Sequence, residues 1–166
     1  MTKHLCSIAV LALLTALPSP SQTAAAKPTQ AKESAITMSH AKGTFEVKMT
    51  PAPADDTGVS RFRGDKQFRG DLDGSSVVVM LAAGNPATGS AGYVAMENVT
   101  GTLAGRSGTF SLQQSGTMDK GALSLTVLVV PGSGTGDLQG ISGKMDIVIA
   151  DGKHSYDLEY SLPAKP

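Results

Sequence analysis

The sequence predicts an all-β fold, an eight-stranded antiparallel up-and-down β-barrel behind a removable leader. Three observations carry this reading. All 19 glycines of the 166-residue chain lie at or after Gly43. From that point apolar residues recur with period two, and no stretch shows a sustained helical spacing. The pattern Gly-x-Leu-x-Gly-x-Ser then occurs three times, beginning at Gly70, Gly101 and Gly136, with starts 31 and 35 residues apart. That period suits a two-stranded unit with its connections, with glycine supplying positive φ or close backbone approach at the turns.

Composition sets the outer limits. A chain that is 40% hydrophobic and 17% charged can bury the core of one domain. Its 14 basic residues are balanced by 14 acidic ones, which leaves no basic field for nucleic acid or an anionic membrane surface.

The first 42 residues are a different kind of sequence. Lys3 and His4 precede a mostly apolar run from Leu5 to Leu17, followed by Pro18, Pro20 and Ala24-Ala25-Ala26. This is the three-part layout of a secretory signal peptide, with cleavage expected near Ala26 and a periplasmic or secreted product. The apolar run is too short to be a stable membrane anchor, which needs roughly 20 residues. Cleavage removes Cys6, the one cysteine, so the mature chain has no disulfide, thiol nucleophile or Cys-based metal site. Residues 27–41 read as a flexible spacer and 42–163 as the barrel domain.

Within the domain, Phe45, Val47 and Met49 alternate with Thr44, Glu46 and Lys48, a strand with one buried face. Strand-like runs follow near 60–68, 76–83, 91–99, 108–114, 123–130, 144–150 and 154–162, each bounded by Gly, Pro, Asp or Asn. The three repeated motifs fall between alternate strands, so tight turns are expected at one end of the barrel. Longer connections near 50–59, 84–90 and 115–122, with the Asp151-Gly152 turn, form the other end and the expected mouth. Closure removes the exposed edges of so many strands and leaves an interior wide enough for side chains or one small ligand.

Several segments in order carry a family resemblance: Gly43-Thr44-Phe45-Glu46-Val47, Lys66-Gln67-Phe68-Arg69-Gly70-Asp71-Leu72, Gly89-Ser90-Ala91-Gly92-Tyr93-Val94-Ala95 and Ser115-Gly116-Thr117-Met118. With Met80-Leu81-Ala82-Ala83-Gly84 and Asp151-Gly152-Lys153-His154 they resemble the bacterial family called domain of unknown function 3224. The resemblance implies a barrel similar to allene oxide cyclase and dirigent proteins, which bind apolar small molecules and often form trimers. Where family members often read Gln-His before Ser-Gly-Thr-Met, this chain has Gln113 and Gln114. The resemblance therefore carries no imidazole proton-transfer role to this position.

Strand parity selects the candidate site. Tyr93, Ala95, Glu97 and Val99 share a face, so Glu97 points inward if Tyr93 does. An interior carboxylate is the candidate general base of a cyclase- or isomerase-like enzyme. The rarity of buried glutamate favours instead a solvent-facing Glu97, or one tied to Arg106 or a lysine. His154, Tyr156, Leu158, Tyr160 and Leu162 form the inward face of the last strand. The ligand-lining candidates are thus Tyr93, Glu97, Gln114, His154, Tyr156 and Tyr160, and the tyrosines suit equally a core whose hydroxyls reach backbone groups. No cofactor is called for, and His40 with His154 make too few imidazoles for a zinc site.

Other motifs carry no chemistry here. Arg63-Gly64-Asp65 and Arg69-Gly70-Asp71 fall in a strand and a turn, Gly132 to Gly136 lacks the ending of a phosphate loop, and Asn98-Val99-Thr100 lies in a strand. Three functions fit the sequence: an exported barrel binding a small apolar molecule, a cyclase- or isomerase-like enzyme, and a ligand-free structural envelope oligomer. An interior cavity of roughly 300 Å³ or more would support the first two, and one smaller than about a single water would exclude both. Strands apolar on both faces, such as Val77-Val78-Val79 and Leu125 to Val130, point to a homo-oligomer.

Overall fold

The computed structural model describes residues 37–53 and 56–164. The expected leader, and the expected spacer up to residue 36, lie outside them. Eight strands follow in order: β1 Ser39–Pro51, β2 Ser60–Gly70, β3 Leu72–Asn85, β4 Ser90–Leu103, β5 Arg106–Asp119, β6 Ala122–Val129, β7 Ser142–Ala150 and β8 Lys153–Ser161. Each pairs antiparallel with the next, and β8 pairs with β1 to close the barrel.

The strands sit where alternation places them, most of them extended by a few residues. β1 begins at Ser39, so residues 39–41 belong to the wall and not to a spacer. The cause is β8, which supplies backbone partners as far as Ser39↔Tyr160 and lets Ala41 be buried. His40, also expected in the spacer, instead meets Asp157 of β8 at 2.7 Å, with Lys42 at 3.0 Å on the other carboxylate oxygen. The bond from His40, then the one from Lys42, hold the Asp157 carboxyl below the usual range.

The end carrying the repeated motif is not three copies of one turn. β2 turns into β3 at Gly70, whose φ is 117°, ahead of the motif's leucine. β4 turns into β5 through Ala104 and Gly105, after the leucine. The third copy lies in a long connection, residues 130–141, containing a single 3-10 turn at Gly136–Leu138. What the copies share is the leucine. Leu72 and Leu103 are cross-strand partners, Leu138 comes in from the connection, and all three are fully buried. The connection is held against β5 by Thr135 N–H donating to the Thr109 carbonyl at 2.9 Å and Arg106 Nε donating to the Asp137 carbonyl at 2.8 Å. Gly108 is required there, since a side chain would collide with the Thr135 backbone.

These leucines head a core of Phe68, Phe110, Leu112, Ile141, Met145 and Leu158 that fills the barrel at this closed end. Inward positions nearer the mouth behave differently. Leu123 is 74% exposed and Ile149 63%, although parity aims both at the interior. Part of the reason is the wall itself: the ladder between β6 and β7 is reduced to the single pair Leu128↔Lys144, leaving a seam.

Leu138→Ala should therefore lower stability by about 2–5 kcal/mol although the residue lies in a connection, because it empties a core position. Leu123→Ala should change stability by no more than about 0.5 kcal/mol. Urea unfolding midpoints of the two variants check both; equal effects would mean that Leu138 does not plug the barrel.

Candidate functional site

The site begins with parity in β2. Phe68 faces the core and is fully buried, so Lys66, two residues away, is carried inside with it. Lys66 was not among the candidates drawn from the sequence, yet Phe68 fixes its direction, and that signal was legible. The same rule turns Ser76 of β3 inward beside Val78, and Glu97 of β4 inward beside Ala95 and Val99.

A lysine and a glutamate buried separately would each be severely destabilising; together they form an ion pair. Lys66 Nζ lies 2.8 Å from Glu97 Oε2, with side-chain exposures of 6% and 0%. The Ser76 hydroxyl donates to Glu97 Oε1, and the Gln114 amide of β5 donates to Oε2. The ammonium also sits 4.6 Å from the centre of the Phe45 ring, on whose other neighbour, His154, that ring stacks at 4.9 Å. The solvent-facing reading of Glu97 is thus overturned, as is a tie to Arg106, which donates instead to the Asp137 and Pro163 carbonyls. The physical reason is the pair itself: Lys66 from β2 compensates the buried charge.

Tyr93 stands between this network and the mouth. Its hydroxyl donates to Gln114 Oε1 over a long 3.5 Å, and its ring lies over Gly116, its cross-strand partner, where any side chain would meet the ring. Burial, and secondarily the Glu97 carboxylate, push the Tyr93 hydroxyl above its ordinary pKa.

Above Lys66 and Gln114 the interior opens into a cavity of about 150 Å³, walled by Val47, Val78, Ala95 and Ile147 among others. It adjoins a second apolar hollow of about 280 Å³ at the mouth, and Met80, Tyr93, Leu125 and Ile149 line both. Each is smaller than the roughly 300 Å³ expected of a ligand site, though a dry cavity of about 150 Å³ can take a benzene-sized molecule.

Of the six ligand-lining candidates, Tyr93, Gln114 and His154 border the cavity, and Glu97 lies beneath it, bonded to Gln114. Tyr156 and Tyr160 do not line it. Both are buried in the closed-end core, where the Tyr156 hydroxyl accepts from Leu72 N–H at 3.0 Å and lies 3.2 Å from the Leu72 carbonyl. They lie deeper along β8 than His154, where the barrel is already filled. Among the described residues no group of three His, Cys, Asp or Glu is placed to hold a metal ion.

Fold and site together define a small closed β-barrel, solid at one end, with a buried ion pair beneath an open apolar cavity. The chain belongs to the DUF3224 family of proteins of unknown function, whose model matches residues 41–160. It is similar to a solved structure of a DUF3224 protein of unknown function from Shewanella oneidensis MR-1, at 42% identity and a TM-score of 0.69, covering 76% of this chain and all of that one. No curated protein matches.

Glu97→Ala should destabilise the fold by about 3–5 kcal/mol by leaving Lys66 unpaired, and adding Lys66→Met to Glu97→Gln should recover most of the loss seen for Glu97→Gln alone. Thermal unfolding checks this; a double variant no more stable than the single would show that the ion pair is not the controlling interaction.

The raised Tyr93 pKa has a definite sign. The folded protein holds that proton more tightly than the unfolded chain, so the stability it contributes is complete below the ordinary tyrosine value of about 10 and is lost as pH rises through the folded value. Tyr93→Phe should flatten this alkaline loss and remove a late-ionising component from the ultraviolet tyrosinate titration. Loss of an early component instead would contradict the burial of its hydroxyl.

Proposed function

We propose that this protein binds a small, largely apolar molecule inside the barrel, under the mouth bordered by residues 52–53, 56–59, 86–89 and 120–121 and the Asp151-Gly152 turn. One observation carries the reading: apolar side chains that parity aims inward, Leu123, Leu125 and Ile149, remain exposed at the mouth while the opposite end is solid. Exposed apolar surface inside a rigid wall gains free energy when an apolar occupant displaces its water. The family resemblance to allene oxide cyclase and dirigent barrels supports the same reading.

The arrangement of Glu97 favours binding over a cyclase- or isomerase-like reaction. Its carboxylate already accepts from Lys66, Ser76 and Gln114, and the residue is only 1% exposed. A general base needs an acceptor position within reach of the substrate's proton. The leader-like N-terminus supports export, with cleavage near Ala26. The outer face of β3 and β4, where Val79, Leu81, Val94 and Met96 are exposed, supports a homo-oligomer, a trimer by resemblance.

Native mass spectrometry of the mature protein taken from its own envelope tests all of these together. A mass adduct on the wild type that is absent from Leu125→Trp, whose indole fills the mouth, is the expected result. Bare protein in both samples would leave the ligand-free structural reading ahead, and a bare monomer would remove the oligomer as well.

A further inference from the structure

The cavity's walls are apolar, but its polar end is specific. Among the residues bordering the two hollows, Lys66 is the only lysine or arginine, and no aspartate or glutamate borders either. Lys66 is not a free cation: Glu97, just beneath, neutralises it at 2.8 Å. An ammonium nevertheless carries three N–H donors; Glu97 engages one, and the Phe45 and Phe68 rings, 4.6 and 5.8 Å away, face it without offering an oxygen or nitrogen acceptor. Donor capacity therefore remains on the side facing the cavity. Tyr93 adds a hydroxyl whose present bond to Gln114 is long enough to exchange for a better one.

We propose that the Lys66–Glu97 pair makes the cavity selective for uncharged ligands carrying one hydrogen-bond-accepting oxygen, such as an aliphatic ketone, and that Lys66 and Tyr93 receive that oxygen. This rests on the binding reading above. A carboxylate ligand would lose its hydration among Val78, Ala95 and Ile147 and meet an ammonium whose charge Glu97 already balances, beside a second negative group. An amine would face Lys66 itself. A hydrocarbon would leave the donors of the cavity without a partner. A carbonyl oxygen takes a charge-assisted hydrogen bond without bringing net charge into the barrel.

The role of Glu97 is then to set selectivity, and removing its charge should invert the preference. The test uses the mature protein, the neutral fluorophore N-phenylnaphthylamine as reporter, and three competitors of equal carbon number: methyl hexyl ketone, octanoate and octane, at neutral pH. In the wild type the ketone should displace the fluorophore about tenfold better than either of the others, the worth of one such hydrogen bond. In Glu97→Gln, with Lys66 no longer balanced, octanoate should overtake the ketone. In Lys66→Met combined with Glu97→Gln, the ketone's advantage over octane should fall to the remainder that the neutral Tyr93 hydroxyl supplies, about threefold or less, while the fluorophore still binds. If Glu97→Gln does not fold cooperatively, the double variant decides: a ketone advantage that survives in it undiminished overturns the proposal. Fluorophore binding with equal displacement by all three competitors in the wild type would also overturn this selectivity while leaving the binding reading intact. No fluorophore binding at all would overturn both.

Discussion

Closing eight strands into a ring fixes the width of what lies inside, and every inward side chain must then fit that width. The barrel meets this constraint differently along its length. At the closed end large side chains fill it, and Leu138 is brought in from a connection to complete the plug. Midway, four polar side chains from adjacent strands β2, β3, β4 and β5 occupy the same cross-section. Toward the mouth Gly64 and Gly116 make room for neighbouring side chains, Val78 and Met49 over the first and the Tyr93 ring over the second, and above Lys66 and Gln114 the interior opens.

The polar layer is costly on its own terms. Desolvating an ammonium and a carboxylate offsets much of their attraction, so the pair is an expensive way to fill space that Met and Leu would fill as well. The pair ties four adjacent strands together through mutually satisfied partners, and it lies beneath an otherwise apolar cavity.

Much of the fold was legible because period two survives in nearly every strand. Phe45-Val47-Met49 and His154-Tyr156-Leu158-Tyr160 fixed both their strands and their inward faces. The repeated motif was legible as repetition but misleading as structure. Gly-x-Leu-x-Gly-x-Ser reads as a turn because glycine is common in turns, whereas the invariant requirement was a leucine at the plug, reached by three different backbone routes. The site was half visible. Parity placed Glu97 inside only conditionally, and the general rarity of buried glutamate pulled the other way, because the compensating Lys66 lies 31 residues earlier and becomes its neighbour only across β3. Tyr156 and Tyr160 shared the inward face with His154, but sequence does not show how deep along the axis a residue sits, and depth decided whether each became wall or plug.

The seam between β6 and β7 has a consequence for the whole architecture. Parting the single pair Leu128↔Lys144 would unroll the cylinder into an open sheet ordered β7-β8-β1-β2-β3-β4-β5-β6, with every other ladder kept. The free rims of that sheet would belong to the two strands joined by residues 130–141, so this connection is a tether spanning the cut. The place where the wall is thinnest is thus bridged twice, once by that pair and once by the chain itself.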